Sequence, residues 1–73
     1  MSRNIAIIGT GYVGLVAAVG LADFGNQVTG VDINDDVIER LNRGIPTIYE
    51  HGIGDYLERN IASKRLRFTK DIL

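Results

Sequence analysis

Six residues near the start of the chain have the glycine spacing of loops that bind phosphate groups. They match the pattern G-x-G-x-x-G and are Gly9-Thr10-Gly11-Tyr12-Val13-Gly14. In such a loop the first glycine allows a tight turn, the second lets a pyrophosphate approach the backbone, and the third lets a helix pack closely on a strand. The backbone N–H groups of Tyr12, Val13 and Gly14 would face the anion, assisted by the helix dipole. The pattern therefore predicts diphosphate binding.

An acidic residue lies where dinucleotide binding calls for one, about 20 residues beyond the loop. The carboxylate of Asp32 would accept hydrogen bonds from the adenosine ribose hydroxyls. An aspartate between a strand and a helix is also a common turn residue, although Asn34 is better placed as the helix cap. A 2′-phosphate would meet Asp32, Asp35 and Asp36, so like-charge repulsion favours NAD over NADP. FAD-binding domains share the glycine pattern and remain an alternative.

A strand and a helix flank the loop. The continuous apolar run at residues 5–8 predicts a strand covered on both faces. A helix is expected from Tyr12 or Val13 to Phe24, with Gly25 as its left-handed cap. Because its apolar residues occur on all sides, this helix is predicted to be broadly buried.

The rest of the chain continues the alternation of strands and helices. Residues 28–32 form the second strand, and Asn34 begins a helix that ends at Gly44. After an irregular connection, a third helix covers residues 55–62, and alternating Leu66 and Phe68 indicate a third, half-exposed strand. The residues expected to face inward from the second and third helices are Val37, Ile38, Leu41, Tyr56, Leu57 and Ile61.

This order, β-α-β-α-α-β, predicts an α/β fold with a parallel sheet and right-handed crossovers. It corresponds to the first half of a Rossmann-type doubly wound parallel sheet with strand order 3-2-1. The first strand would then lie at an edge although its sequence is typical of a buried strand. We therefore expect its missing neighbour to come from further chain or from another molecule.

Composition excludes several classes of protein. The 73 residues contain nine glycines and no cysteine, which excludes a disulfide scaffold and a cysteine-based zinc module. Eight basic and nine acidic side chains leave no positive excess for nucleic-acid binding. The uncharged stretch from residue 4 to 22 approaches the length of a membrane span, but its glycine cluster predicts strand, turn and helix instead. We expect a cytoplasmic protein without membrane or nucleic-acid partners, and no metal site.

Longer segments resemble a known family. The stretches NIAIIGTGYVGLVAAVGLADFGNQVTGVDIN, LNRG-IP-IYE and RLRFTKD resemble the amino-terminal part of the UDP-glucose/GDP-mannose dehydrogenases, and the UDP-glucose 6-dehydrogenase branch most. The resemblance implies oxidation of the C6 alcohol of a nucleotide sugar, UDP-glucose being the best match, to a carboxylate with reduction of two NAD. It places the NAD contacts on the glycine loop, including Thr10, and on Asp32. Five residues beyond the acid the family usually has a Lys or Arg that contacts the cofactor. Val37 takes that position in the predicted site here, with Arg40 as a speculative substitute for the missing charge. Its Y-E-P-G segment is Tyr49-Glu50-His51-Gly52 here.

The resemblance also implies what this stretch lacks. The family's nucleophilic cysteine, catalytic lysine and sugar-binding domain lie beyond residue 73. Residues 1–73 are therefore expected to be a partial, truncated NAD-binding domain of a homo-oligomeric enzyme, without catalytic residues and inactive alone. An NAD(H)-sensing regulatory module is the alternative. His51 and the basic run are interpreted as solvated; that run is Lys64, Arg65, Arg67 and Lys70.

Overall fold

Three strands and three helices alternate along the chain as the sequence predicts. The computed structural model describes residues 3–9, 11–47 and 52–71. The elements are β1 (Asn4–Ile8), α1 (Tyr12–Asp23), β2 (Gln27–Val31), α2 (Asp35–Asn42), α3 (Ile53–Ala62) and β3 (Leu66–Thr69). The predicted α/β class is therefore confirmed.

The three strands form one parallel sheet in the order β1-β2-β3. β2 is central and pairs with both β1 and β3. Listed from the β3 edge, the strands have the neighbours of the predicted order 3-2-1. Ile8 pairs with Val31, and Val31 pairs with Thr69, so the carboxyl ends of all three strands meet at one edge. Residues that follow the strands are thereby brought together at that edge.

Local signals explain where the helices begin and end. The side chain of Asn34 accepts hydrogen bonds from the backbone N–H groups of Asp36 at 3.0 Å and Val37 at 3.2 Å, which confirms it as the cap of α2. Gly25 and Gly44 follow α1 and α2 with φ values of +104° and +79°, in the left-handed region that favours glycine. α3 begins at Ile53, two residues before its predicted start.

The prediction that α1 is broadly buried is wrong. One face, which includes Leu15 and Ala18, is buried. By contrast, Val13 is 79% exposed, and Phe24 is 89% exposed. Among the described residues, α1 packs against the sheet and α3, so its other side has no covering layer. Apolar composition alone did not distinguish these two faces.

β1 is likewise not covered on both faces. Ile5 and Ile7 pack against the core, whereas Asn4, Ala6 and Ile8 are exposed. In the described part of the chain the helices cover one face of the sheet, and the opposite face is open around a shallow depression of about 390 Å³. The prediction from the apolar run thus holds for one face of the strand only.

Two expected side-chain positions on the later elements are also wrong. Tyr56 is 45% exposed, with the guanidinium of Arg59 4.7 Å from its ring centre, and Asn60 is fully buried on α3 instead. Arg65 is not simply solvated, since its Nε donates to the carbonyl of Ala22 at 3.1 Å and to Asn60 Oδ1 at 3.2 Å. The Arg65 side chain thus links the ends of α1 and α3.

A polar cluster joins α1 to α3. Asp23 Oδ1 accepts hydrogen bonds from Arg59 Nη2 at 2.7 Å and from Asn60 Nδ2 at 3.1 Å. These donors, Arg59 first, hold the pKa of the Asp23 carboxyl below its usual value of 3.8. The cluster stabilises the packing of the two helices at the end of α1 away from the glycine loop.

Candidate functional site

The glycine loop begins at the carboxyl edge of the sheet. The N–H of Gly9 donates to the carbonyl of Val31 at 2.7 Å, which ties the end of β1 to the end of β2. Gly9 has a φ of +87°, which an L side chain rarely adopts. The backbone of the turn therefore requires a glycine at this position.

Gly14 is required for a different reason. A Cβ atom there would overlap the carbonyl oxygen of Gly9 and would lie 3.2 Å from its carbonyl carbon. The Cγ2 atom of Ile7 would lie 3.6 Å away. The absence of a side chain lets α1 approach the end of β1, as the pattern predicts.

Neither a positive φ nor close packing requires a glycine at position 11. Its φ is −65°, an ordinary value, and a Cβ atom there would meet no described atom within 4 Å other than those of its flanking residues. The described protein therefore leaves open space next to the Gly11 backbone. A diphosphate that approaches the backbone would use that space, so the residues present fit such a ligand.

Backbone donors border the same space. The first hydrogen bond of α1 runs from the N–H of Leu15 to the carbonyl of Gly11 at 2.8 Å. The N–H groups of Tyr12, Val13 and Gly14 precede it and have no partner within the helix. Among the described residues no side chain caps this end of α1. The helix dipole adds partial positive charge there, so the arrangement is suited to an anion.

Asp32 follows β2 directly and lies beside the loop. Its N–H donates to the carbonyl of Thr69 at 3.1 Å, and its Oδ1 accepts from the N–H of Asn34 at 2.9 Å. Asp32 thus does shape the turn into α2. A carboxylate accepts several hydrogen bonds, so this role is compatible with binding ribose hydroxyls.

A shallow cavity connects the loop to the acid. It has a volume of about 190 Å³ and is lined by Ile8, Gly9, Val31, Asp32 and Ile33. Two of its walls are exposed apolar side chains, since Ile8 is 65% exposed and Ile33 91% exposed. Ile33 is not among the residues predicted for the site. Its apolar type directly after the acid, where the β2 strand ends, is the signal that could have found it.

The structure brings most but not all of the predicted residues to this site. Val37 is half-buried against the core and does not line the cavity, and its N–H donates to Asn34. Arg40 lies in the last turn of α2, away from the turn that Asp32 shapes. Thr10 and residues 48–51, including His51, lie outside the described residues, as does the side chain of Tyr12.

A lysine that the sequence analysis assigned to a solvated run lies at the same edge. Lys70 follows β3, and its Nζ lies 3.2 Å from Asp35 Oδ1. The pairing of β3 with β2 places Lys70 there, and a sequence pattern limited to β2 and α2 could not find it.

The described residues provide neither a metal site nor a membrane span. The residues that the structure describes include no group of three or more His, Cys, Asp or Glu side chains that could hold a metal ion. Within the same ranges no helix is long and apolar enough to cross a membrane.

Comparison with known proteins decides which dinucleotide-binding family this site represents. The profile of the UDP-glucose/GDP-mannose dehydrogenase family, NAD binding domain, matches residues 3–73. The chain belongs to this family. The matched region is the family's NAD binding domain, so the cofactor is NAD.

Individual members of the dehydrogenase family agree with this assignment. UDP-glucose 6-dehydrogenase TuaD of Bacillus subtilis is 47% identical over 70 residues, which cover 96% of this chain and 15% of that protein. UDP-glucose 6-dehydrogenase of Rhizobium meliloti is 46% identical over 69 residues, which cover 94% and 16%. The chain thus spans about 15% of the length of the first relative it matches.

Solved structures of dehydrogenases share the fold. A UDP-glucose dehydrogenase from Pyrobaculum islandicum superposes with a TM-score of 0.84 at 44% identity, over 96% of this chain and 16% of that one. A GDP-mannose dehydrogenase from Pseudomonas aeruginosa gives 0.87 at 37% identity, over 97% and 16%. The arrangement of strands and helices described above is therefore that of nucleotide-sugar dehydrogenases.

Proposed function

We propose that this chain is the NAD-binding portion of an enzyme that oxidises the C6 alcohol of UDP-glucose to the carboxylate of UDP-glucuronate. Two successive oxidations would each deliver a hydride to one NAD, and one water molecule would supply the second carboxylate oxygen. The observation that carries the proposal is the open space beside Gly11, bordered by the N–H groups of the first turn of α1. The names of the relatives support UDP-glucose as the substrate.

Each part of the site has a proposed contact with NAD. The pyrophosphate would lie against Gly11 and the N–H groups of Tyr12, Val13 and Gly14, which provide hydrogen bonds to its oxygens. The Asp32 carboxylate would accept from the ribose hydroxyls, and a half-exposed position makes it accessible to them. Gly9 and Thr10 complete the loop.

The sheet edge supports a larger NAD-binding domain. β1 forms an edge of the sheet, and its Ile8 is 65% exposed. A strand of this composition is typical of the interior of a parallel sheet. We infer that in the whole enzyme another strand pairs with β1 and that helices cover the open face. Cytoplasmic location and assembly into a homo-oligomer remain predictions.

Catalysis would require residues outside this stretch. Its 73 residues contain no cysteine, and the family's reaction proceeds through a covalent thiol adduct. We therefore propose that the chain binds NAD and does not oxidise UDP-glucose by itself.

The test is to titrate the full chain separately with NAD and with UDP-glucose, and then to follow NADH absorbance with both present. The proposal expects saturable binding of NAD and no formation of NADH. UDP-glucose-dependent formation of NADH would overturn the proposed inactivity. A folded chain that does not bind NAD would overturn the proposed site.

A further inference from the structure

An ion pair lies at the rim of the proposed NAD site. Lys70 Nζ is 3.2 Å from Asp35 Oδ1 and 3.5 Å from Oδ2, so the ammonium contacts both carboxylate oxygens. Lys70 directly follows β3, and Asp35 is the first residue of α2. The hydrogen bond from the N–H of Asp32 to the carbonyl of Thr69 fixes the end of β3 beside the turn that carries the ribose-binding acid.

The pair stands in a strongly acidic segment. Asp32, Asp35 and Asp36 lie within five consecutive residues that lead into the first turn of α2. A dinucleotide is itself anionic, so each carboxylate that faces it without accepting a hydrogen bond from it raises the free energy of the complex. Lys70 brings a positive charge to this segment from a different strand. It lies at the amino-terminal end of α2, where neither Val37 nor Arg40 supplies a positive charge.

We propose that Lys70 is a positioning residue of the NAD site and that its ion pair with Asp35 sets how much negative charge the site tolerates in a dinucleotide. This inference rests on the proposed function of the glycine loop and Asp32. NADP carries an additional 2′-phosphate, with a charge of about −1.5 to −2 at pH 7. The ion pair should therefore affect the binding of NADP more than the binding of NAD, and it contributes to the selectivity of the site for NAD over NADP.

The two partners should act in opposite directions. In Lys70→Met, Asp35 keeps its charge without its partner, so NAD should bind about two- to fivefold more weakly and NADP more weakly still. In Asp35→Asn, Lys70 keeps its charge, so both dinucleotides should bind more tightly, with the larger gain for NADP. The double variant should return near the wild-type ratio of the two Kd values.

A matched control exists at the other end of α2. Arg43 pairs with Glu39 at 2.8 Å, with side-chain exposures of 68% and 61%, compared with 57% and 75% for Lys70 and Asp35. Arg43→Met removes a similar surface ion pair away from the site and should leave both Kd values unchanged. Because exposed charges are screened, the effects of Lys70→Met and Asp35→Asn should shrink at high salt.

The experiment is a titration of the full chain and the four variants with NAD and with NADP at low and high ionic strength. Opposite shifts for Lys70→Met and Asp35→Asn support the inference, because the loss of a merely structural contact would weaken binding in both. Equal weakening in the two variants, or no change in either, overturns it while the proposed function stands. A folded wild-type chain that binds neither dinucleotide overturns both.

Discussion

Replacing Gly11 by alanine should weaken NAD binding and leave the fold nearly unchanged. Gly11 is the N-cap of α1, with φ −65° and ψ −175°, a conformation that alanine adopts without strain. Apart from its own residue and the two flanking ones, the new methyl group would have no described atom within 4 Å. It would instead occupy the space beside the backbone where the pyrophosphate is proposed to lie.

The magnitudes follow from two separate contributions. Alanine is a poorer N-cap than glycine, which costs about 0.5–1 kcal/mol, and its lower unfolded-state entropy returns about 0.4–1 kcal/mol. The free energy of unfolding should therefore change by less than about 0.5 kcal/mol. A methyl group that displaces the pyrophosphate from its N–H donors should cost at least one charge-assisted hydrogen bond, about 1.5–3 kcal/mol, or more than about tenfold in Kd.

Gly20→Ala is the matched control. Gly20 lies inside α1, and a Cβ there also meets nothing within 4 Å. Because alanine favours a helix interior over glycine, this variant should gain about 1 kcal/mol of stability and keep the wild-type Kd. Isothermal titration with NAD and urea denaturation measure the two quantities. Wild-type affinity in Gly11→Ala would refute the assignment of the open space to the pyrophosphate.

Three further predictions concern the stability of the fold. Gly14→Ala should destabilise the chain by about 1–3 kcal/mol in urea denaturation, because its Cβ overlaps the Gly9 carbonyl; an unchanged urea midpoint would contradict the close packing. Asn34→Ala should cost about 1 kcal/mol by removing the cap of α2, whereas Asn34→Ser should retain most of it; equal losses would show that the cap contributes little. The lowered pKa of Asp23 means that the cluster with Arg59 stabilises the fold above about pH 4 and that this stability is lost as pH falls through the lowered value. The difference in urea midpoint between wild type and Asp23→Asn should accordingly shrink in acid, and a difference independent of pH would contradict the ion pair.

The elements and the loop could be predicted because their signals are local. The roles of Gly9 and Gly14 follow from φ and from one close contact, and Asn34 caps the helix that starts next to it. A glycine spacing, an apolar run and a cap residue each depend on a few neighbouring positions. Such patterns therefore identified the order of the strands and helices and the positions of the turn and the cap.

Burial and pairs between distant residues could not be predicted in the same way. Phe24, which follows α1 directly, and Tyr56 on α3 have aromatic side chains, yet both are exposed because no element of the described chain lies over them. Lys70 meets Asp35 only because β3 pairs with β2. These features depend on which elements are adjacent in space, and composition and periodicity carry little information about that.

Titration of the full chain and of the Asp32→Asn variant with NAD is the decisive test of NAD binding at this loop. The wild-type chain should bind NAD saturably and more tightly than NADP, and the variant should bind NAD more weakly. A wild-type chain that is folded by circular dichroism but binds no NAD would contradict the claim, as would an Asp32→Asn variant with wild-type affinity and selectivity.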